Sequence, residues 1–221
     1  MKHKNIAKYL DKYKYISKDQ LERINDFLIK KPFTKKDSEL FYNAIEQIMS
    51  IEENYIKIVL DIIPEPTPRP RMSRFGTFYV KNTRTNNEFI KCIVNEDKDL
   101  YHYVTTPCRF IVENYFPIPS SMTKVETLLA ELKLGDFVSL PDWDNLGKTY
   151  SDMIQKYILA NDSLITEGIS RKFYSLKPRV EITIIYKTKH TLNYSKRLIE
   201  RSKSYKKDVG RNNEKIKHKE N

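Results

Sequence analysis

Two aspartates stand two residues apart in the segment LPDWDNLGKTYSD, and a lysine follows one helical turn later. These residues are Asp142, Asp144 and Lys148. Carboxylates held this close raise one another's pKa, and a bound divalent cation removes that conflict. Mg²⁺ prefers carboxylate oxygens and keeps water and phosphate oxygens in its coordination shell. The spacing therefore predicts a metal site suited to phosphoryl chemistry.

A third carboxylate is expected near this pair. The segment LANDSLI supplies Asp162 directly after the helix that begins at the aspartates, so the chain could turn back towards them. Lys148 would then lie beside a metal-bound phosphate, where an ammonium group stabilises charge that develops on a phosphoryl oxygen. Asp142, Asp144 and Asp162 are thus candidate metal ligands, and Lys148 is a candidate catalytic cation.

The paired aspartates also have a purely structural interpretation. An aspartate before a helix commonly caps it, because its charge suits the positive end of the helix dipole. Two other acidic motifs do not fit. An EF-hand loop beginning at Asp142 needs a ligand and a glutamate where Leu146 and Met153 stand. A haloacid-dehalogenase-type motif needs a strongly apolar strand just before the aspartates, and GDFVSLP is a poor strand.

The residues after Asp142 predict a helix with two distinct faces. At about 100° per residue, Asp144, Lys148 and Asp152 fall on one edge. The opposite side is apolar, and we expect it to pack inward. It consists of Leu146, Tyr150, Met153, Ile154, Tyr157 and Ile158. Trp143 is expected to anchor the start of the helix by packing.

Other elements are predicted from hydrophobic periodicity. Residues 1–52 read as three short helices, two of them introduced by the capping pairs Ser17 with Gln20 and Thr34 with Asp37. The predicted strands are 55–63, 75–80, 108–119 and 179–186. Further helices are predicted at 85–104, at 120–132 and at the start of the C-terminal tail.

The net charge of +11 is carried by the two ends of the chain. Residues 1–50 have a net charge of +4 and residues 189–221 of +7, which leaves residues 51–188 neutral overall. This distribution indicates a neutral core that basic extensions bring to a polyanion. The alternative is that the lysine-rich ends only keep the protein soluble. The last dozen residues are expected to be disordered.

No membrane segment or secretion signal is predicted. The longest mostly apolar run, residues 56–63, contains Asp61 and is far shorter than the ~20 residues that a membrane helix needs. The N-terminal residues lack an apolar signal region. Cys92 and Cys108 are expected to be free thiols, which agrees with a cytoplasmic location.

Several motifs follow one another in an order that resembles the RusA family of Holliday junction resolvases. A strand is followed by a PRPR segment, a second strand, PDWDNLGKTYSDMI, NDSLITEGISRKF and a closing strand. The matching residues are Pro141, Asp142, Asp144, Asn145, Lys148, Asp152, Asp162 and Lys172. One position departs from the family pattern, since Asn161 stands where the family has the first aspartate of an Asp-Asp turn.

The resemblance covers residues 54–188 and implies both a fold and an activity. The implied fold is an α+β core with a mixed sheet and packed helices, preceded by a helical extension (1–52) and followed by a basic, partly disordered tail (189–221). Proteins of this family are similar in being homodimeric, Mg²⁺-dependent endonucleases, commonly of phage or prophage origin. They cut four-way DNA junctions in recombination and repair. Asp142, Asp144 and Asp162 then look like the metal ligands, and Lys148 like the catalytic lysine.

Basic residues near these motifs are candidate contacts to the DNA backbone. They are Arg69, Arg71, Arg74, Arg171 and Lys172. An equally simple alternative is that these side chains are only solvated and do not contact DNA. A second hypothesis for the whole protein is a DNA-binding recombination accessory protein without catalysis, whose aspartates only cap a helix. Cleavage of branched DNA in Mg²⁺ would separate the two hypotheses.

Overall fold

A computed structural model describes residues 17–67, 71–73, 76–78, 83–95, 104–155 and 157–201, with the backbone alone at 71–73, 76–78, 83–84 and 92–95. The chain divides into two compact units, Met1–Ile51 and Glu52–Asn221. The described residues form helices and a mixed sheet, which confirms the predicted α+β class. The finer division into residues 1–52, 54–188 and 189–221 stays a prediction.

Within residues 17–51, the described part of the first unit, there are two helices, α1 (Lys18–Lys30) and α2 (Lys35–Met49). Both begin with a capping box, in which Ser17 pairs with Gln20 and Thr34 pairs with Asp37. Each cap satisfies backbone N–H groups that have no partner inside the helix. The two predicted capping pairs are therefore confirmed, whereas the helix predicted before Ser17 lies outside the described residues.

The second unit contains strands β1 (Glu53–Leu60), β2 (Arg71–Ser73), β3 (Gly76–Phe78), β4 (Cys108–Pro117), β5 (Ile165–Ser175) and β6 (Arg179–Lys187). Four of them form one sheet in the order β1-β6-β4-β5, and β2 and β3 form a separate antiparallel pair. Strand β6 is antiparallel to both of its neighbours, while β4 and β5 are parallel. A parallel pair requires a crossover connection.

The helices described in this unit are α3 (Thr83–Asn95), α4 (Lys124–Glu131), α5 (Trp143–Ile154) and α6 (Asn193–Arg201). Helices α4 and α5 lie in the crossover between β4 and β5, so the paired aspartates belong to this connection. A capping box formed by Thr123 and Glu126 starts α4. Among the described residues, no helix is long and apolar enough to cross a membrane.

The core lies between one face of the four-stranded sheet and the apolar face of α5. Alternate residues of the strands are buried, as period-2 side-chain placement requires. Fully buried members include Leu60, Val112, Val180, Ile182, Ile184, Leu146, Tyr150 and Ile154. Burial of this apolar surface is the main favourable contribution to folding, and it fixes α5 on the sheet.

Cys108 is a free, buried thiol at the start of β4. Burial raises the pKa of this thiol to about 12, because the thiolate form would be poorly solvated. Cys108 therefore stays protonated at neutral pH, as expected for a structural thiol. The side chain of Cys92 lies outside the described residues.

Candidate active site

Asp142 and Asp144 lie at the N-terminus of α5. Asp142 is the N-cap residue, with φ −64° and ψ 141°, and Asp144 lies in the first turn. The side chain of Asp142 makes no capping hydrogen bond to the helix. The structure therefore does not support the interpretation of this carboxylate as a helix cap. Both aspartates are exposed, so their side chains can be approached from solvent.

The two faces predicted for α5 are confirmed as far as Ile154, where the helix ends, so Tyr157 and Ile158 lie beyond the helix and not on its apolar face. Asp144, Lys148 and Asp152 are exposed along one edge of the helix. On the opposite side, Leu146, Tyr150, Met153 and Ile154 are buried. Packing of the core therefore does not require the charged edge.

The expectation for Trp143 is wrong. This side chain is 62% exposed, although the sequence suggests a packing anchor. Its backbone is nevertheless held, because the hydroxyl of Ser170 in β5 donates to the Trp143 carbonyl oxygen at 2.9 Å. Leu146, the first buried residue of the helix, is the side chain that anchors this end.

Strand β5 holds the segment that leads into the aspartates. Lys172 donates from its ammonium nitrogen to the carbonyl oxygens of Ser139 at 2.8 Å and Pro141 at 3.1 Å. The hydroxyl groups of Tyr174 and Ser139 lie 3.3 Å apart. Together with the bond from Ser170, these contacts come from three alternate residues on one face of β5. They fix the backbone on both sides of Asp142.

The proline-rich segment is held against the other side of α5. The amide nitrogen of Asn145 donates to the carbonyl oxygen of Thr67 at 3.3 Å. The hydroxyl groups of Thr67 and Thr149 lie 2.7 Å apart. The backbone N–H of Glu65 donates to the hydroxyl of Tyr150 at 3.2 Å. Residues 65–67 therefore lie directly beside the first two turns of α5.

Asp162 lies at the opposite end of the crossover helix. It opens a 3-10 helix, Asp162–Leu164, that leads into β5. The neighbouring pairs Val104 with Leu159 and Cys108 with Ile165 place it beside the start of β5. The N-terminus of α5, by contrast, meets β5 at Ser170. Ser170 lies five positions further along the strand than Ile165, about 16 Å at ~3.3 Å per residue.

The structure therefore does not bring Asp162 to the paired aspartates within one chain. Consistent with this separation, the described part of the chain contains no three His, Cys, Asp or Glu side chains placed to hold a metal ion. The assignment of Asp142, Asp144 and Asp162 as joint metal ligands remains a prediction. What the structure does bring together is Asp142, Asp144 and Lys148.

Arg171 and Lys172 point to opposite faces of the sheet, because successive residues of a strand alternate. The guanidinium of Arg171 donates to the carboxylate of Glu113 at 3.2 Å, on the face away from α5. On that face Lys133 also donates to the hydroxyl of Tyr115 at 2.6 Å. Burial, as the largest effect, raises the pKa of Tyr115. The two neighbouring basic residues therefore do not share one DNA-facing surface.

The three arginines of the proline-rich segment cannot be placed in the same way. Arg69 and Arg74 lie outside the described residues, and Arg71 is described by its backbone alone, as the first residue of β2. Their role as DNA contacts stays a prediction.

Sequence reasoning missed the contacts that position the site, although Asn145 and Lys172 were among the residues that match the family pattern. Asn145 and Thr149 are one helical turn apart, and that spacing is a signal that both side chains lie on one side of α5. Ser170 and Tyr174 carried no such signal, since β5 itself was not among the predicted strands. The sequence identified Lys172 as a residue of the family pattern and as a candidate DNA contact, but not as a residue that holds the segment before α5.

Comparisons with known proteins show which family the chain is similar to. A family model described as endodeoxyribonuclease RusA matches residues 61–185 of this chain. The chain is also 35% identical over 83 residues to the uncharacterized protein YqaN of Bacillus subtilis (strain 168). That match covers 37% of this chain and 58% of the relative, less than two thirds of its length. The residues matched by the family model include the paired aspartates, Lys148 and Asp162.

Proposed function

The chain belongs to the RusA family of endodeoxyribonucleases, and from this premise we propose that it cuts four-way or otherwise branched DNA in recombination and repair. The reaction is hydrolysis of a phosphodiester bond with the help of Mg²⁺. The observation that carries the proposal is the pair of exposed carboxylates, Asp142 and Asp144, at the start of α5. Lys148 follows Asp144 on the same exposed edge, which the core does not need for packing.

The donor set of this pair fits Mg²⁺. This ion commonly binds through one or two carboxylates and completes its shell with water and substrate phosphate oxygens. Asp142 and Asp144 provide two carboxylates at a solvent-accessible helix end. When bound there, the ion would act as a Lewis acid on the scissile phosphate and lower the pKa of a bound water.

The residues of this chain contribute charge and position. The N-terminus of α5 carries the positive end of the helix dipole, which favours a phosphate group. The ammonium of Lys148 lies on the same edge of the helix as Asp144 and stabilises the negative charge that develops on a phosphoryl oxygen during cleavage. The hydrogen bonds from Asn145 and Ser170 hold the backbone near the aspartates, so that little rearrangement is needed when the DNA binds.

A homodimer would complete the site with a third carboxylate. Because Asp162 lies at the far end of the crossover, an Asp162 that takes part in the same site would come from a second copy of the chain. Residues 125–140, just before the aspartates, expose many apolar side chains, as interfaces between proteins do. They include Val125, Leu128, Leu132, Leu134, Val138 and Leu140. A symmetric dimer also accounts for paired cuts in two strands.

Mixing two inactive variants tests this arrangement. In the proposed dimer, each site takes Asp144 from one chain and Asp162 from the other. A dimer made only of Asp144→Asn chains, or only of Asp162→Asn chains, therefore has two damaged sites. A mixed dimer retains one intact site out of two. Because about half of the dimers are mixed after random exchange, we expect about a quarter of the wild-type nicking activity. The measurement is nicking of a labelled junction after the two variants are unfolded and refolded together. A mixture that stays inactive would mean that Asp162 acts within its own chain, and an Asp162→Asn variant that is active by itself would mean that Asp162 has no part in the reaction.

The basic tail is expected to add salt-sensitive affinity. Ile199 of α6 is buried in the core, so we place the truncation after Arg201. Removing residues 202–221 takes away a net charge of +4. We expect a smaller slope of log affinity against log salt concentration, by ~0.9 for each phosphate that the tail neutralises in the full-length protein. Cleavage at saturating protein should stay nearly unchanged.

A full-length variant provides the control for this truncation. Replacing the seven Lys and Arg residues of 202–221 by Gln keeps the length of the tail but removes its positive charge. It should reproduce the smaller salt slope. An unchanged salt slope in both variants would support the alternative that the tail only keeps the protein soluble.

A comparison of DNA substrates tests the proposed function itself. The protein is incubated in Mg²⁺ with a four-way junction and with linear duplex of the same sequence. We expect nicks in the junction and not in the duplex. If the protein binds the junction but nicks neither substrate, the hypothesis of a non-catalytic DNA-binding accessory protein is favoured instead.

A further inference from the structure

The ammonium of Lys172 is committed to backbone groups of its own chain. It donates to the carbonyl oxygens of Ser139 and Pro141 and lies 4.8 Å from the ring centroid of Phe137. The side chain is half-buried. Phe137 is itself packed between Phe116 and Tyr174, with ring centroids 4.7 and 4.4 Å away. Lys172 thus forms part of a packed support beneath residues 137–141.

The bond to Pro141 acts directly on Asp142. The carbonyl of Pro141 and the amide nitrogen of Asp142 belong to one planar peptide group. A hydrogen bond that fixes this group therefore restricts the backbone at the residue that bears the first candidate ligand. The bond to Ser139 holds the chain two residues earlier, so the two bonds together fix the approach to α5.

We propose that Lys172 is a positioning residue for metal binding and not a DNA contact. The proposal rests on the proposed function, because it assumes that Asp142 binds the metal. Residues that orient metal ligands commonly change metal affinity about 10- to 100-fold when they are substituted. Lys172 holds the backbone that carries the Asp142 carboxylate in place before the ion arrives, which lowers the entropic cost of binding the ion.

A DNA contact at Lys172 would have different consequences. Removal of a side chain that binds a phosphate weakens junction binding without metal and reduces its salt slope by about 1. Removal of a positioning residue leaves both unchanged and weakens metal binding instead. The two roles therefore differ in measurements that need no cleavage.

The chain contains one tryptophan, Trp143, which stands between the two aspartates. Its fluorescence reports on this segment directly, since the side chain is exposed. We would compare the wild type with Lys172→Met in two measurements: anisotropy of Trp143 without metal, and quenching of Trp143 by Mn²⁺ alone. Junction binding in EDTA at several salt concentrations completes the comparison.

The expected result for Lys172→Met has three parts. Trp143 becomes more mobile in the absence of metal. Half-maximal quenching of Trp143 needs at least about tenfold more Mn²⁺ than in the wild type. Junction binding in EDTA keeps the affinity and the salt slope of the wild type. Lys177→Met is the matched control, because Lys177 pairs with Asp61 at 3.2 Å on an exposed surface. It should behave as the wild type does in all three measurements.

The opposite pattern would overturn the proposal. Unchanged Trp143 mobility and Mn²⁺ affinity, together with weaker junction binding and a smaller salt slope, would make Lys172 a DNA contact. If circular dichroism shows that Lys172→Met does not fold, Lys172→Arg takes its place. Arginine keeps the positive charge, but its planar fork does not reproduce the geometry of an ammonium on two carbonyls. Its Mn²⁺ affinity should then fall between the wild type and a tenfold loss, and wild-type Mn²⁺ affinity would contradict the proposal.

These readouts separate the inference from the proposed function. If Mn²⁺ quenches Trp143 in the wild type but the wild type never nicks a junction, the proposed nuclease function is refuted and the proposed role of Lys172 is not. A wild type that nicks junctions while Lys172→Met binds Mn²⁺ normally would refute only the role of Lys172.

Discussion

Asp144→Asn should abolish junction cleavage while the protein still binds the junction. The substitution removes one charged ligand of the proposed Mg²⁺ site but keeps the shape of the side chain. We expect the single-turnover cleavage rate to fall by about a thousandfold, which corresponds to ~4 kcal/mol of transition-state stabilisation. Junction affinity should be equal or higher, because one negative charge facing the phosphates is removed.

The fold gives no reason for this variant to be unstable. Asp144 is exposed in the first turn of α5, so asparagine there removes no buried contact. Asp136→Asn is the matched control, since Asp136 is also exposed and lies in the segment before the helix. Control and variant should unfold at the same temperature and differ only in cleavage. Wild-type cleavage by Asp144→Asn would show that this carboxylate has no part in the reaction.

Lys148→Met should slow cleavage without changing the need for Mg²⁺. Methionine keeps the unbranched shape and the helix propensity of lysine but removes the ammonium. Loss of one group that stabilises charge in the transition state typically costs about 10²- to 10³-fold in rate. We expect a loss of that size at saturating Mg²⁺, with half-maximal activity at an unchanged Mg²⁺ concentration. A shifted Mg²⁺ dependence instead would place Lys148 in metal binding.

Lys91→Met provides the comparison for Lys148→Met. Lys91 lies in α3 and pairs with Glu88 at 2.8 Å, and its side chain is exposed. An exposed helical pair of this kind contributes only ~0.5 kcal/mol. The control should therefore retain both stability and cleavage, and equal losses in the two variants would show that the effect is not specific to the site.

Periodicity in the sequence predicted α5 well. The 3.6-residue spacing of its apolar residues identified the buried face, and the same geometry left Asp144, Lys148 and Asp152 exposed. Capping pairs were equally informative, because Ser17 with Gln20 and Thr34 with Asp37 form local hydrogen bonds that depend on few distant contacts.

Strand β5 could not be predicted in this way. It is an edge strand of the sheet, and residues 166–168 are exposed, so its sequence lacks a clear alternation of apolar and polar residues. Pairing with β4 depends on residues more than fifty positions away. For the same reason the contacts of Ser170, Lys172 and Tyr174 with the segment before α5 are visible only in the structure.

The arrangement of the candidate site residues was predicted in part. Asp142, Asp144 and Lys148 lie on one helix, so sequence spacing alone relates them in space. Asp162 follows a turn whose path the sequence does not determine, and the bridge between Val104 and Leu159 carries it to the start of β5. The prediction that Trp143 packs as an anchor was wrong. A large apolar side chain favours burial, but the position of Trp143 at the first turn of α5 leaves its ring exposed.

The central claim is that the Asp142 and Asp144 pair is the site of metal-dependent cleavage. The most direct test is the single-turnover rate of junction cleavage across a Mg²⁺ titration, for the wild type and for the double variant Asp142→Asn with Asp144→Asn. We predict a saturable Mg²⁺ dependence for the wild type and a rate at background for the double variant at every Mg²⁺ concentration. Cleavage by the wild type that is independent of divalent metal, or cleavage by the double variant at the wild-type rate, would contradict the claim.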